Sequence, residues 1–95
     1  MEKTIVSVAE NLQDFIVDAK DIHDGVQVVF RFPNNYGASV VKHHFSYGVE
    51  LAVIKFTSND ADDWDICYDT PITDDVIGWL DAESLQSILI EIKSL

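Results

Sequence analysis

Between Val26 and Thr57 the chain carries three apolar stretches separated by two turn clusters, and this pattern constrains the fold more than any other feature. Val26, Val28, Phe30 and Phe32 alternate with Gln27 and Arg31, the period-two signature of a half-buried strand, and Pro33 stops it. Asn34-Asn35-Tyr36-Gly37 follows, rich in residues that tolerate positive φ. A second strand is predicted from about Ala38 to Phe45, and Ser46-Tyr47-Gly48 supplies the next turn. Val49 to Thr57 reads as a third strand, apolar on both faces and therefore central. The loop Ser58-Asn59-Asp60-Ala61-Asp62-Asp63 leads to a fourth strand, Trp64 to Asp69, with Trp64, Ile66 and Tyr68 facing one way and Asp65, Cys67 and Asp69 the other. Connections this short give an antiparallel meander.

The flanks read as helical. Ser7-Val8-Ala9-Glu10 has the form of a capping box, and Val8, Leu12, Phe15, Ile16 and Ala19 recur at helical spacing, predicting a helix from about residue 8 to 20 that ends at Asp24-Gly25. Thr4 to Val6 is a candidate short strand ahead of it. Towards the C-terminus, Thr73 can cap a short helix through about Leu80, with Asp74 and Asp75 in its first turn. Asp81 can cap a second, with Leu85, Ile88, Leu89 and Ile92 as its apolar stripe. The expected fold is α+β, a four-stranded antiparallel meander sheet packed by an N-terminal helix and two C-terminal helices. At 95 residues, with Val, Ile, Leu and Phe making 32 of them, residues 1–95 form one domain with one modest core.

Charge narrows the function. Seventeen acids against six Lys and Arg give a net charge of −11, which argues against direct nucleic-acid binding and against docking on anionic lipid. The acids are unevenly placed. Residues 26–55 hold one acid, Glu50, against Arg31, Lys42 and Lys55, whereas Phe56 to Ile92 holds ten acids and no Lys or Arg. One cysteine excludes an internal disulfide and a cysteine-based zinc site. No apolar run reaches the roughly 18 residues of a membrane span, and no signal-peptide core follows Met1-Glu2-Lys3, so a cytoplasmic location is expected.

Two segments carry a resemblance. Phe30-Arg31-Phe32-Pro33-Asn34-Asn35-Tyr36-Gly37-Ala38-Ser39-Val40-Val41 and the run from Trp64-Asp65-Ile66-Cys67-Tyr68-Asp69-Thr70-Pro71-Ile72-Thr73-Asp74-Asp75 to Leu80 resemble small proteins encoded in tailed-bacteriophage genomes. The resemblance covers roughly residues 26–92 and leaves the N-terminal segment out. It implies a phage or prophage origin and a host cytoplasm, and it brings no catalytic motif.

A calcium loop starting at Asp60 needs Asp or Asn, Gly and Glu at its fifth, sixth and twelfth positions, where the chain has Trp64, Asp65 and Pro71. His43 and His44 are neighbours on a strand and point to opposite faces, and His23 is distant, so no metal set forms. Cys67 sits between acidic residues that raise a thiol pKa, which fits a small packed side chain better than a nucleophile. Gly25, Gly37, Gly48 and Gly78 are isolated and make no phosphate cradle. No catalytic residue, cofactor or metal is therefore expected, although a hydrolase using clustered aspartates and a divalent ion stays as a distant alternative.

What remains is the acidic surface. Glu10, Asp14 and Asp18 stand at i, i+4 and i+8 on the predicted helix, a row that costs helix stability. Asp60, Asp62, Asp63, Asp65, Asp69, Asp74, Asp75, Asp81 and Glu83 form a second acidic zone. Carboxylates spaced in this way can imitate DNA phosphates. The expected function is non-enzymatic: an acidic phage protein that binds and inhibits a basic host nucleic-acid-handling protein as a DNA mimic. The alternative is an accessory module, self-associating as a homodimer through Phe45, Tyr47 and Trp64, whose acidity serves only solubility.

Overall fold

A computed structural model describes residues 12–22, 25–42, 48–60, 63–67, 70 and 77–95. Strands β1 (Ile16–Ile22), β2 (Gly25–Arg31), β3 (Tyr36–Lys42), β4 (Glu50–Phe56) and β5 (Trp64–Ile66) are followed by helix α1 (Ala82–Lys93), and a 3-10 turn, Gln13–Phe15, precedes β1. The five strands lie side by side in chain order, each antiparallel to the next. The meander read from residues 26–57 is therefore present, but the sheet has five strands and one helix among the described residues, where four strands and three helices were expected.

The extra strand comes from the segment predicted as the N-terminal helix. Val8 and the capping box lie outside the described residues. Ile16 to Ile22, however, is extended and pairs with β2 from Ile16↔Phe30 to Ile22↔Gly25, with a bulge at Val17. Ile22 and Gly25 pair directly, so the chain reverses between β1 and β2 where a helix stop was expected; His23 and Asp24 lie outside the described residues. Exposed apolar edge on β2 is a stronger draw than the helical spacing of Leu12, Phe15, Ile16 and Ala19. The β-branched residues Ile16, Val17 and Ile22 accept extended backbone readily.

The short helix ending at Leu80 is also absent from the described part of its span; residues 71–76 lie outside it. Ile77 forms a bridge with Leu51, its amide donating to the Leu51 carbonyl at 2.9 Å and its carbonyl accepting from the Leu51 amide at 2.8 Å. The Leu80 amide donates to the Val49 carbonyl at 3.1 Å. The physical reason lies on β4. β5 pairs only with Ile54 to Phe56, and the Cys67 amide reaches Val53, so the Val49–Leu51 end of the same edge needs partners. Residues 77–80 provide them, and Trp79 at φ 56 could not continue a helix.

Alternation divides the side chains between two faces. Val26, Val28, Phe30, Phe32, Ala38, Val40, Val49, Leu51 and Val53 pack with Leu80, Leu85, Leu89 and Ile92, so the expected stripe of α1 closes the main core. Val29, Ile54 and Phe56 form a smaller cluster on the opposite face, with Trp64 against it. Burial on both faces of β4 is what its sequence foretold. Ser39, the buried polar residue, accepts from Gln27 Nε2 at 2.9 Å, so its hydroxyl is satisfied.

The Pro33–Gly37 connection anchors α1. Asn34 Nδ2 donates to the carbonyls of Ile92, Lys93 and Leu95 at 2.9, 3.2 and 3.1 Å, satisfying acceptors that every helix C-terminus leaves open. Asn35 takes φ 67, and its side-chain oxygen accepts from Arg31 Nη2 at 3.0 Å. At its other end α1 begins with Asp81, whose carboxylate accepts the Ser84 amide at 2.8 Å, the cap its sequence predicts.

Candidate functional site

The acidic residues expected to act together fall into separate places. Asp14 lies in the 3-10 turn and Asp18 in β1, so the row with Glu10 on one helix face does not exist among the described residues; Glu10 itself lies outside them. Asp18 makes an ion pair with Lys20 at 3.6 Å. Asp60, Asp63 and Asp65 belong to the β4–β5 hairpin, on the other side of the sheet. Four strand spacings separate β1 from β5, about 19 Å at the usual inter-strand distance. Asp81 and Glu83 begin α1, near the Val49 end of β4, while the hairpin acids lie beyond its Phe56 end. Asp62, Asp69, Asp74 and Asp75 lie outside the described residues.

Part of this acidity is committed to holding the chain in shape. Asp63 Oδ2 accepts from Ser58 Oγ at 2.8 Å, and its carbonyl accepts the Thr57 amide at 2.9 Å and Thr57 Oγ1 at 3.1 Å. The Asp60 amide donates to Ser58 Oγ at 3.1 Å and its carbonyl accepts the Asp63 amide. Asp81 caps α1, and the backbone amide of Ser84 and then its side chain hold the Asp81 carboxyl below its ordinary range. Asp65 and Glu83 are exposed and take no such structural bond from a described neighbour in the hairpin or the cap.

The cations are arranged differently. Arg31 lies over the Phe56 ring at 4.5 Å, Lys55 over Tyr36 at 5.3 Å and Lys93 over Phe15 at 5.0 Å. Lys55 and Asp65 are direct partners across β4 and β5, yet between described residues the ion pair that forms is Lys20–Asp18. Three of the basic side chains thus lie over rings, and no Lys or Arg occurs from Phe56 to Ile92.

No group of three or more His, Cys, Asp or Glu able to hold a metal ion occurs among the described residues; His23, His43 and His44 lie outside them. Cys67 packs against the main core. An open groove of about 710 Å³ at the Phe56 end of the sheet is lined by Tyr36, Lys55, Phe56, Thr57, Asp65, Ile66 and Cys67. Lys55 is already over Tyr36 there, and the groove lies open to solvent. No helix among the described residues is long and apolar enough to cross a membrane.

One exposed residue escaped the sequence reading. Trp79 is 78% exposed, far beyond any other large apolar side chain described, and sits at φ 56. Its assignment to a helix hid it. The signal was its position beside Gly78 and two residues before the Asp81 cap, outside the apolar stripe of either neighbour. Trp64, by contrast, is half-buried beside Val29, Ile54 and Phe56; Phe45 and Tyr47 lie outside the described residues. No family model, curated protein or solved structure matches the chain.

Proposed function

We propose that this chain is a non-enzymatic binding protein of phage type whose acidic surface engages, and so blocks, a basic nucleic-acid-handling protein in the host cytoplasm. The observation that carries the reading is the segregation of charge. Phe56 to Ile92 contains no Lys or Arg, the described acids of that stretch, Asp60, Asp63, Asp65, Asp81, Glu83 and Glu91, are all exposed, and of the five described cations Arg31, Lys55 and Lys93 lie over aromatic rings while Lys20 pairs with Asp18. A field dominated by one sign of charge attracts a cationic groove and speeds encounter with it. With the helical row of Glu10, Asp14 and Asp18 gone, the reading rests on summed field and not on a phosphate-like spacing.

A pull-down from bacterial lysate at low salt, eluted along a salt gradient, tests it. A single basic nucleic-acid-handling protein leaving as salt rises is the expected result. Retention indifferent to salt, or nothing specific, would reduce the acids to a solubility device.

A further inference from the structure

We infer that the outer edge of β1 is a self-association surface, on which a second copy of this chain adds its own β1 antiparallel, about a two-fold axis at Ala19. β1 is the first strand of the sheet, and no strand among the described residues pairs with its outer edge. A strand of seven residues in that place turns a row of backbone amides and carbonyls away from its one neighbour, whereas β5 at the opposite edge has three residues. Long edges are commonly guarded by charge or by a bulge, and β1 has Asp18, Lys20 and Asp21 together with the bulge at Val17. The order of those charges, however, admits one partner.

Two antiparallel copies of one strand in a continuous sheet keep each side chain on its own face, so the axis passes through a residue and not between two. At Ala19 it sets Asp18 against the partner's Lys20 and Lys20 against the partner's Asp18, with the bulged Val17 beyond them. An axis at Asp18, Lys20 or Asp21 would instead set a charge against its own copy, which destabilises a cross-strand pair. Ala19 is exposed and carries only a methyl, so its side chain leaves room at the axis. Asp18 and Lys20 already stand 3.6 Å apart within the chain, with side chains 34% and 54% exposed. An ammonium has three donors and a carboxylate several acceptor positions, so this contact exhausts neither, and pairing closes four charges into an alternating ring. β1 lies at the sheet edge opposite the β4–β5 hairpin, so the pairing leaves the hairpin acids in place and holds whether or not they engage a basic partner.

Sedimentation equilibrium of the full chain at submillimolar concentration provides the test, with a mass of twice 10.7 kDa expected. Asp18→Lys and Lys20→Asp each set like charges across the axis and are expected to raise the dimer dissociation constant roughly 10-fold or more. Mixed in equal amounts, the two variants are expected to recover the dimer as a heterodimer, since each then meets opposite charge on the other. A folding defect in either variant would not be cured by mixing. The double exchange Asp18→Lys with Lys20→Asp keeps the parent's net charge and is expected to dimerise as the parent does. A parent chain that stays monomeric overturns the inference and leaves the edge to a strand of another protein. A dimer indifferent to both single exchanges, or one that mixing fails to restore, refutes β1 as its seat.

Discussion

Among the described residues two other than glycine take left-handed backbone, Asn35 at φ 67 and Trp79 at φ 56, and they do so on opposite terms. Asn35 sits in the tight connection between β2 and β3, where its amide bonds to the Phe32 carbonyl, its own carbonyl accepts the Phe56 amide, and its side chain receives Arg31. Asparagine is among the residues that visit this region most cheaply, so side chain and backbone agree. Trp79 is a bulky side chain in the same conformation, 78% exposed, with the neighbouring backbone bonds made by Ile77 and Leu80. At 35 the turn accounts for the residue. At 79 the turn makes the residue expensive, and its ring stands against Gly48.

The largest expected effect lies at the first turn. A Cβ at Gly37 would collide with the carbonyl oxygen of Phe30 and come within 2.9 Å of Phe56 Cε2. Gly37→Ala should therefore destabilise by about 3 kcal/mol or more, since the methyl meets backbone that yields only if β2 moves, read by urea denaturation. Asn34→Ala removes three bonds to the end of α1 and should cost about 1–2 kcal/mol in the same measurement. A cost near zero would mean that the turn does not hold the helix.

At the second site the signs should divide. Gly48→Ala adds a side chain at φ 63 against the Trp79 ring and should cost about 1–2 kcal/mol. Trp79→Gly should do the reverse, leaving stability unchanged or raising it by about 1 kcal/mol, because it relieves the backbone and sacrifices little burial. A strongly destabilised Trp79→Gly would make the tryptophan structural and erase the contrast with Asn35. The smallest effect concerns Asp81, whose carboxyl is held below its ordinary 3.8 by the Ser84 amide. Its stabilising contribution is complete above pH 3.8 and disappears as pH falls through the lower, folded value. The melting-temperature difference between the parent and Asp81→Ala should accordingly close in acid, and Asp81→Asn should retain part of the cap at neutral pH.

What the sequence revealed follows the kind of interaction that decided each element. Strands β2 to β5 were legible because Val26 to Phe32 alternates, Asn34 to Gly37 turns, and Val49 to Phe56 is apolar on both faces, all within a few residues of one another. α1 was legible because Asp81 caps it and Leu85, Ile88, Leu89 and Ile92 repeat at its period. The first strand was not, since Ile16, Ala19 and their neighbours fit a helix locally and only the edge of β2 makes them extended. Ile77 to Leu80 failed for the same reason, being placed by a vacancy on β4 that no local spacing discloses. The candidate site inherited both errors. Asp14 and Asp18 lost their common face, and Trp79 stood in the segment read as a helix.

The attachment of α1 has a kinetic side. Its start is tied to β4 through Leu80 and Val49, and its finish to the β2–β3 connection through Asn34, so the helix is fastened at both ends to strands that are themselves neighbours of β3. A helix fixed at one end can fray from the other; this one has no loose end from which to begin. Amide protons of Leu89 and Ile92 should therefore exchange with solvent at the same slow rate as those of Phe32 and Tyr36, all released in a single opening. Cutting the Asn34 tether should convert that shared rate into a gradient that runs backwards along the helix from Lys93.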